Sequence, residues 1–168
     1  LADVERERAR ARLETTSRLY QEWAAGAPVA GPGRTELATL FADVRQELAG
    51  TDAGVVVAER RIDELLRRRA ATLHVGPLNH CWFVDPARAR CLQLAGRTAA
   101  SAPLIGMCEP TSCANATIHP EHVPVWLDTR RSIDRLLEDR RVPAQEKRRL
   151  EPERARVQRV VDGAGQPE

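Results

Sequence analysis

Aromatic residues are scarce in this chain of 168 residues, which has two phenylalanines, one tyrosine and three tryptophans. A hydrophobic core must therefore be built mainly from leucine, valine and alanine. Such a core is thin for this length. We expect one modest domain, or a small core flanked by helical arms, and not two large domains.

Long apolar runs are also absent. No stretch approaches the roughly 20 apolar residues that a membrane span needs. The first residues, LADVERERAR, lack the charged-then-apolar order of a secretory signal. We therefore predict a cytoplasmic location and no membrane partner.

Neither sign of charge is in large excess, since the formal net charge is +2. No global field attracts nucleic acid or a membrane. The charges are unevenly distributed: residues 1–70 carry 12 basic and 12 acidic groups, residues 71–129 carry 3 and 4, and residues 130–168 carry 11 and 8. A nearly uncharged central segment thus lies between two highly charged flanks.

Motifs of enzyme active sites are missing too. Gly31 and Gly33 lie in the loop GAPVAGPG, but no Lys-Ser or Lys-Thr pair follows, so we interpret this loop as a connector and not as a phosphate-binding loop. There is no paired carboxylate, catalytic triad or His-Glu-x-x-His motif. We expect no independent enzyme and no small-molecule substrate.

Helical periodicity predicts three helices, over 1–25, 35–49 and 55–71. Three arginines at 67–69 end the third helix, where cations complement the negative end of the helix dipole. We prefer that interpretation to a phosphate contact. The apolar positions recur every three or four residues: Val4, Ala11, Leu19 and Trp23; Leu37, Leu40, Phe41, Val44 and Leu48; Val56, Ile62, Leu65 and Leu66.

The next segment lacks helical periodicity because five prolines interrupt it, and HCWFV is the only short run that resembles a strand. After Glu121 the helical period returns in two amphipathic stretches joined at DRRVPAQEKRR, where Pro143 suits the first turn of a helix. The second stretch is expected to stop at Gly163. These two stretches predict an antiparallel helical hairpin.

The predicted fold class is therefore mainly α. It comprises an N-terminal helical region over 1–72, a central irregular segment with cysteines and histidines over 73–120, a C-terminal helical hairpin over 121–162 and a disordered tail over 163–168.

All four cysteines and all four histidines lie within residues 74–122. A proline-rich stretch with little regular structure gains most from a structural metal, because the binding free energy of the metal becomes folding free energy. Four thiolates satisfy the tetrahedral geometry of zinc and close the site to water. We therefore predict one structural zinc ion bound by Cys81, Cys91, Cys108 and Cys113.

Two alternatives to zinc remain open, namely free buried thiols and disulfides, of which the reducing cytosol disfavours the second. His119 and His122 are candidates to replace a cysteine ligand, because two residues separate them at the entrance to a helix. A catalytic zinc or a cysteine nucleophile is less favoured. The chain has neither the ligand pattern of an open zinc site nor a glycine-rich turn around any cysteine.

The segments LNHCWFVDPARARCLQ and PLIGMCEPTSCANATIHPEHVPVW resemble the cysteine-containing terminal region of actinobacterial site-specific integrases of the tyrosine-recombinase type. In those proteins a comparable Cys-x-Pro-x-x-Cys-x-Asn segment precedes a helical hairpin. Here that segment corresponds to Cys108, Pro110, Cys113 and Asn115. The resemblance covers residues 80–161, and the first 70 residues carry no specific motif of the family.

The resemblance implies an accessory region and not a catalytic one. Tyrosine recombinases use a tyrosine nucleophile assisted by arginines and a His-x-x-Arg segment. No histidine here has arginine three residues later, and the only tyrosine, Tyr20, lies in the first predicted helix. The resemblance therefore implies that the chemistry lies elsewhere in the full polypeptide, and that DNA and other recombinase subunits are partners.

Two functions follow from these observations. In the first, a zinc-stabilised accessory domain of a DNA integrase assists DNA binding or subunit contacts; in the second, a zinc-stabilised helical module binds other proteins without contacting DNA. Acidic residues alternate with the basic ones in the predicted hairpin, a pattern that also suits intrahelical ion pairs. The residues expected to contact DNA phosphates are Arg130, Arg131, Arg141, Lys147, Arg148 and Arg149.

Overall fold

The computed structural model describes residues 1–50 and 55–165, and the mainly helical fold class is confirmed. Single turns of 3-10 helix lie at Pro86–Arg88, Ile105–Met107 and Pro120–His122. None of the described helices is both long and apolar enough to span a membrane. The elements in chain order are α1 (Ala2–Ala24), α2 (Arg34–Ala49), α3 (Val55–Ala70), β1 (Leu73–Val75), β2 (His80–Trp82), α4 (Arg90–Leu94), β3 (Ala116–Thr117), α5 (Val123–Glu138) and α6 (Ala144–Gly165).

The first hydrophobic cluster joins α1, α2 and α3 to the first two strands. Aromatic rings meet inside it, since Tyr20 contacts Phe41 edge-on with the ring centroids 5.5 Å apart. The predicted apolar face of α2 is confirmed, because Leu37, Phe41 and Val44 are buried. The buried members of this cluster are Leu19, Tyr20, Leu37, Phe41, Val44, Leu66, Leu73 and Trp82.

The predicted apolar face of α1 is only partly correct. Leu19 is buried, but Val4 is 51% exposed and Ala11 is exposed. The first turns of α1 are stabilised by ion pairs between residues three or four apart, such as Glu5 with Arg8, and by the high helix propensity of their residues. Burial is therefore not what makes this half of α1 helical. The side chain of Val56, predicted to face the core from α3, lies outside the described residues.

Three short strands form an antiparallel sheet in the order β1–β2–β3. Leu73 lies opposite Trp82 and His74 opposite Cys81, while Cys81 also pairs with Ala116 on the third strand. The prediction of an irregular central segment with a single strand-like run is wrong in this respect. Strands of two or three residues are too short to show an alternating pattern in the sequence.

A second hydrophobic cluster joins α5 and α6 to two loops. The loop GAPVAGPG contributes Ala30, whose backbone exchanges two hydrogen bonds of 2.8 Å with Ile118. This loop, predicted to be a plain connector, therefore holds the N-terminal helices against the residues after β3. The buried members of the second cluster are Ala30, Ile118, Trp126, Ile133, Val157, Val160 and Ala164.

The end of α6 lies beyond the predicted position. The helix continues through Gly163 to Gly165, because Ala164 is fully buried and Gly163 lies so near Ala30 that a Cβ added to it would be 3.4 Å from the Cβ of Ala30. Packing thus overrides the low helix propensity of glycine. Residues 163–165 are helical and not a disordered tail, and residues 166–168 lie outside the described residues.

Replacing Gly31 by alanine is expected to cost about 2–4 kcal/mol of unfolding free energy. Gly31 has φ +89°, and an added Cβ would lie 2.9 Å from the carbonyl oxygen of Ala116. Gly26 is a matched control, because it has φ +96° but open space around it. Gly26→Ala should therefore cost only about 1–2 kcal/mol, and equal losses in urea unfolding would contradict the close approach.

Candidate metal centre

The four cysteines come together around one cavity. Cys81 lies in β2, Cys91 in the first turn of α4, Cys108 directly after the 3-10 turn at Ile105–Met107, and Cys113 in the loop before β3. All four line a cavity of about 140 Å³. Cys108 and Cys113 share the stretch between α4 and β3. The fold thus gathers at one place thiols from three separate parts of the chain.

The strand β2 directs neighbouring side chains to opposite faces of the sheet. His80 and Trp82 are buried on one face, and Cys81 lies on the other, because side chains alternate along a strand. His74, opposite Cys81 on β1, also lines the cysteine cavity. Sequence reasoning missed this neighbour, since only the strand pairing brings His74 to the site.

A polar contact joins the segments that carry two of the cysteines. Nε of Arg90 donates to Oε2 of Glu109 at 3.3 Å, and the hydroxyl of Ser112 donates to the same oxygen at 3.1 Å. These contacts hold the residue after Cys108 against the residue before Cys91. The turn between Cys108 and Cys113 is therefore held against the start of α4.

Burial opposes ionisation of these thiols. It raises the pKa of Cys81 to about 12, and the nearby Cys113, Cys108 and Cys91 add to the increase in that order. Burial also raises the pKa of Cys108, with Cys113 as the next largest cause. A cation in the cavity would reverse this effect, because a positive charge beside the thiols favours the thiolates. A metal bound here would therefore displace thiol protons.

The sulfur atoms surround the cavity without meeting at one point. Among the described residues, no three cysteine sulfurs all lie within 4.8 Å of one another. Zinc–sulfur bonds of about 2.3 Å in a tetrahedron place the sulfurs about 3.8 Å apart, so the thiols must move inward to bind zinc. All four cysteines are free, Cys108 is exposed, and neither lysine nor arginine is among the residues that line the cavity. Thiols are donors of the type that zinc prefers, so the chemistry of the four side chains suits zinc although their present spacing does not.

A second group of ligand-type side chains lies on the opposite face of β2. In the described part of the chain, His80, Glu121 and His122 have ligand atoms within 4.8 Å of one another and could hold a metal ion. The ring of His80 lies 5.2 Å from the ring of His119 and 4.5 Å from that of His122. We call these four residues the histidine cluster.

Uncharged hydrogen bonds fix two of the histidine rings. Nε1 of Trp82 donates to Oγ1 of Thr117 at 2.8 Å, and this oxygen lies 2.8 Å from Nε2 of His119. Because an indole N–H can only donate, the Thr117 hydroxyl accepts from Trp82. Its own proton is then available to donate to Nε2 of His119. The backbone N–H of His119 donates in turn to Nδ1 of His122 at 2.9 Å.

These hydrogen bonds make the histidine cluster a poor metal site. Because Nδ1 of His122 accepts a backbone N–H, Nε2 of the neutral ring carries the proton and has no lone pair for a metal. Nε2 of His80 lies 2.6 Å from Glu121 and must donate to it, since a carboxylate only accepts. Arg18 donates to both oxygens of Glu121 at 3.2 Å. Nδ1 of His80 and Nε2 of His122 are both buried without a hydrogen-bond partner in the described residues, and of these two only Nδ1 of His80 has a free lone pair.

The alternative in which His119 or His122 replaces a cysteine ligand gains no support from the structure. Neither residue is among those that line the cysteine cavity. Both lie in the histidine cluster, where the contact of Glu121 with Arg18 and His80 links α1 to β2 and to the start of α5. Sequence reasoning paired His119 with His122 but missed the rest of this cluster, because His80 lies far from them in the chain.

Acid is expected to destabilise the fold through the histidine cluster. Burial lowers the pKa of His119 to about 3 and that of His122 to about 4. The unfolded chain binds these protons more readily, so stability falls as the pH drops from about 7 toward 4, by up to about 2 kcal/mol per histidine at about pH 5. In the variant His122→Asn, the side-chain oxygen of asparagine can still accept the hydrogen bond from the backbone N–H of His119, but the titratable ring is gone. Urea unfolding of His122→Asn should therefore show a loss about 2 kcal/mol smaller between about pH 7.5 and about pH 5, and an equal loss would contradict this account.

The residues predicted to contact DNA lie on α5, α6 and the link between them. Lys147 and Arg148 make no ion pair in the part of the chain that the structure describes. The other four each contact a carboxylate: Arg130 with Asp134, Arg131 with Asp128, Arg141 with Asp139, and Arg149 with Glu146.

Comparisons of the chain with protein-family models, with curated proteins and with solved structures found no match.

Proposed function

We propose that this chain is a non-catalytic accessory domain of a DNA integrase or recombinase, stabilised by one structural zinc ion, which assists DNA binding or subunit contacts. The observation that carries the proposal is the convergence of Cys81, Cys91, Cys108 and Cys113 on one cavity. Zinc there would tie β2, α4 and the loop before β3 together. Free thiols persist in a reducing compartment, so the proposed location is the cytoplasm.

The motif positions shared with integrases have structural roles here, which supports a scaffold built around the cysteines. Pro110 is buried in the turn between Cys108 and Cys113. Asn115 is also buried, and its side-chain amide donates to the backbone carbonyl of Asp85 at 3.2 Å. The motif thus fixes the turn that carries two of the proposed ligands to the segment before α4.

An accessory role also agrees with the position of Tyr20. It is 5% exposed, and its ring packs against those of Trp23 and Phe41 in the first hydrophobic cluster. A hydroxyl held on such a packed ring is not presented to a DNA phosphate as a nucleophile. We therefore place the strand-cleavage chemistry in another part of the full polypeptide.

Titration of a fluorescent DNA duplex with the zinc-loaded chain tests the proposal. We expect binding that weakens steeply as salt is raised from roughly 50 to 200 mM, because phosphate contacts release counterions. Absence of binding at the lowest salt, with a folded and zinc-loaded chain, would contradict a direct DNA-binding role.

Exposed apolar residues on α5 favour the second candidate, a zinc-stabilised helical module that binds proteins. Val125 is 38% exposed and Leu136 is 46% exposed. They are eleven residues apart, which is close to three helical turns and places them on the same face. Association that persists at high salt, measured by analytical ultracentrifugation and lost in Leu136→Glu, would favour this function.

A further inference from the structure

A groove between α1 and α3 has a strongly basic lining. It has a volume of about 480 Å³, and no acidic side chain is among the residues that line it. Its lining consists of Arg6, Ala9, Arg10, Arg12, Leu13, Arg67, Ala70 and Ala71. Four arginine residues therefore line one concave surface formed by two helices.

The arginines of this groove are weakly neutralised. Arg12 and Arg67 make no ion pair in the part of the chain that the structure describes; the nearest polar contact of Arg12 is to the carbonyl of Ala71, at 3.5 Å. Arg6 and Arg10 contact acidic neighbours on α1, but these pairs are more than half exposed. Exposed pairs of this kind contribute at most about 1 kcal/mol, so they hold the guanidinium groups loosely.

Some basic residues of the C-terminal half are paired more closely with carboxylates, whereas Lys147 and Arg148 make no ion pair among the described residues. Arg130 and Asp134 are only 30% and 29% exposed, and Asp134 also contacts Arg154 from the facing helix. Arg141 makes two side-chain hydrogen bonds to Asp139. At these residues a phosphate would have to compete with the carboxylates, whereas in the α1–α3 groove Arg12 and Arg67 have no carboxylate partner among the described residues.

The lining also indicates which part of a nucleic acid would be bound. Apart from arginine it contains only alanine and leucine, so there is no aromatic ring on which an unpaired base could stack. Arg6 and Arg10 are four residues apart on α1, about 6 Å along the helix axis. The negative end of the α3 dipole, equivalent to about half a charge, offsets only part of the four positive charges.

We propose that the α1–α3 groove binds the phosphate backbone of a DNA duplex without reading its sequence. This inference rests on the proposed DNA-binding function and moves the main contact from the predicted hairpin to the N-terminal helices. Arg12 and Arg67 are the residues that contribute most, because they have no carboxylate partner.

The test compares two double variants that each remove two arginines. Arg12→Ala/Arg67→Ala removes two of the groove charges, and Arg140→Ala/Arg159→Ala removes two exposed arginines of the C-terminal half that also make no ion pair in the described residues. Anisotropy of a labelled duplex is measured for both variants and the unmodified chain across a salt series. The groove variant is expected to bind about tenfold more weakly, with a salt slope smaller by about 1.8, since each lost phosphate contact contributes about 0.9. The control variant is expected to change little.

The conservative variant Arg12→Lys/Arg67→Lys separates charge from structure. Phosphate binding needs only the positive charge, so affinity and salt slope should return close to those of the unmodified chain. Unchanged affinity in the groove variant, with a loss in the control variant, would overturn the groove while leaving DNA binding intact. No binding by the unmodified chain would overturn the groove together with the proposed function.

Discussion

Cys108→Ser is expected to release zinc and to unfold the central segment, although Cys108 is an exposed residue. Structural zinc supplies roughly 10–16 kcal/mol of binding free energy in small zinc-dependent domains, while most domains are stable by only roughly 5–15 kcal/mol. Replacing one of four thiolates by a hydroxyl removes a large part of that binding free energy. We expect the free energy of unfolding in urea to fall by at least about 3 kcal/mol, with loss of the metal.

The matched control for this variant is Ser112→Ala. Ser112 is exposed in the same loop and contacts Glu109, so its loss should change stability by no more than about 1 kcal/mol. If the cysteines were only free thiols, Cys108→Ser would behave like any exposed substitution, with a change within about 0.5 kcal/mol. A small effect in a folded chain would therefore contradict the zinc site.

Trp82→Ala is expected to cost about 3–5 kcal/mol of unfolding free energy, because it leaves a large cavity in the first hydrophobic cluster. Trp82 is 2% exposed, and the guanidinium of Arg69 lies 5.7 Å from its ring centroid. Its indole N–H also donates to Thr117 on the neighbouring segment. One side chain thus joins the N-terminal helices to the sheet that carries Cys81.

Trp82→Phe is the matched variant, because it keeps an aromatic ring and removes the donor to Thr117. We expect a smaller loss of about 1–2 kcal/mol, from the missing hydrogen bond and the reduced volume. Chemical denaturation followed by circular dichroism measures both variants. Equal losses would mean that the hydrogen bond, and not packing, accounts for the contribution of Trp82.

Regular helices could be predicted from the sequence, because their apolar positions repeat over several turns. The face of α2 that carries Leu37, Phe41 and Val44 is an example. The end of α6 could not be predicted, since the contact of Gly163 with Ala30 depends on a loop more than a hundred residues earlier. The first and third strands were missed for a related reason, because their few residues are defined by pairing partners and not by a local pattern.

The candidate sites, like the fold, could be predicted only in part from the sequence. Clustering in the sequence was enough to group the cysteines, and the fold places all four around one cavity. Sequence reasoning could not separate the histidines from the cysteines. His80 and Cys81 point to opposite faces only because they are neighbours on the strand β2. Nor could sequence reasoning locate the basic groove, since Arg12 and Arg67 meet only through the packing of α1 against α3.

The measurement that tests the central claim most directly is the zinc-to-protein ratio by plasma mass spectrometry, on protein purified without chelator. We predict one zinc ion per chain, lost in Cys108→Ser and retained in His122→Asn, which would place the ion in the cysteine cavity and not in the histidine cluster. A folded chain without zinc, or zinc retained in Cys108→Ser and lost in His122→Asn, would contradict a zinc site formed by the four cysteines.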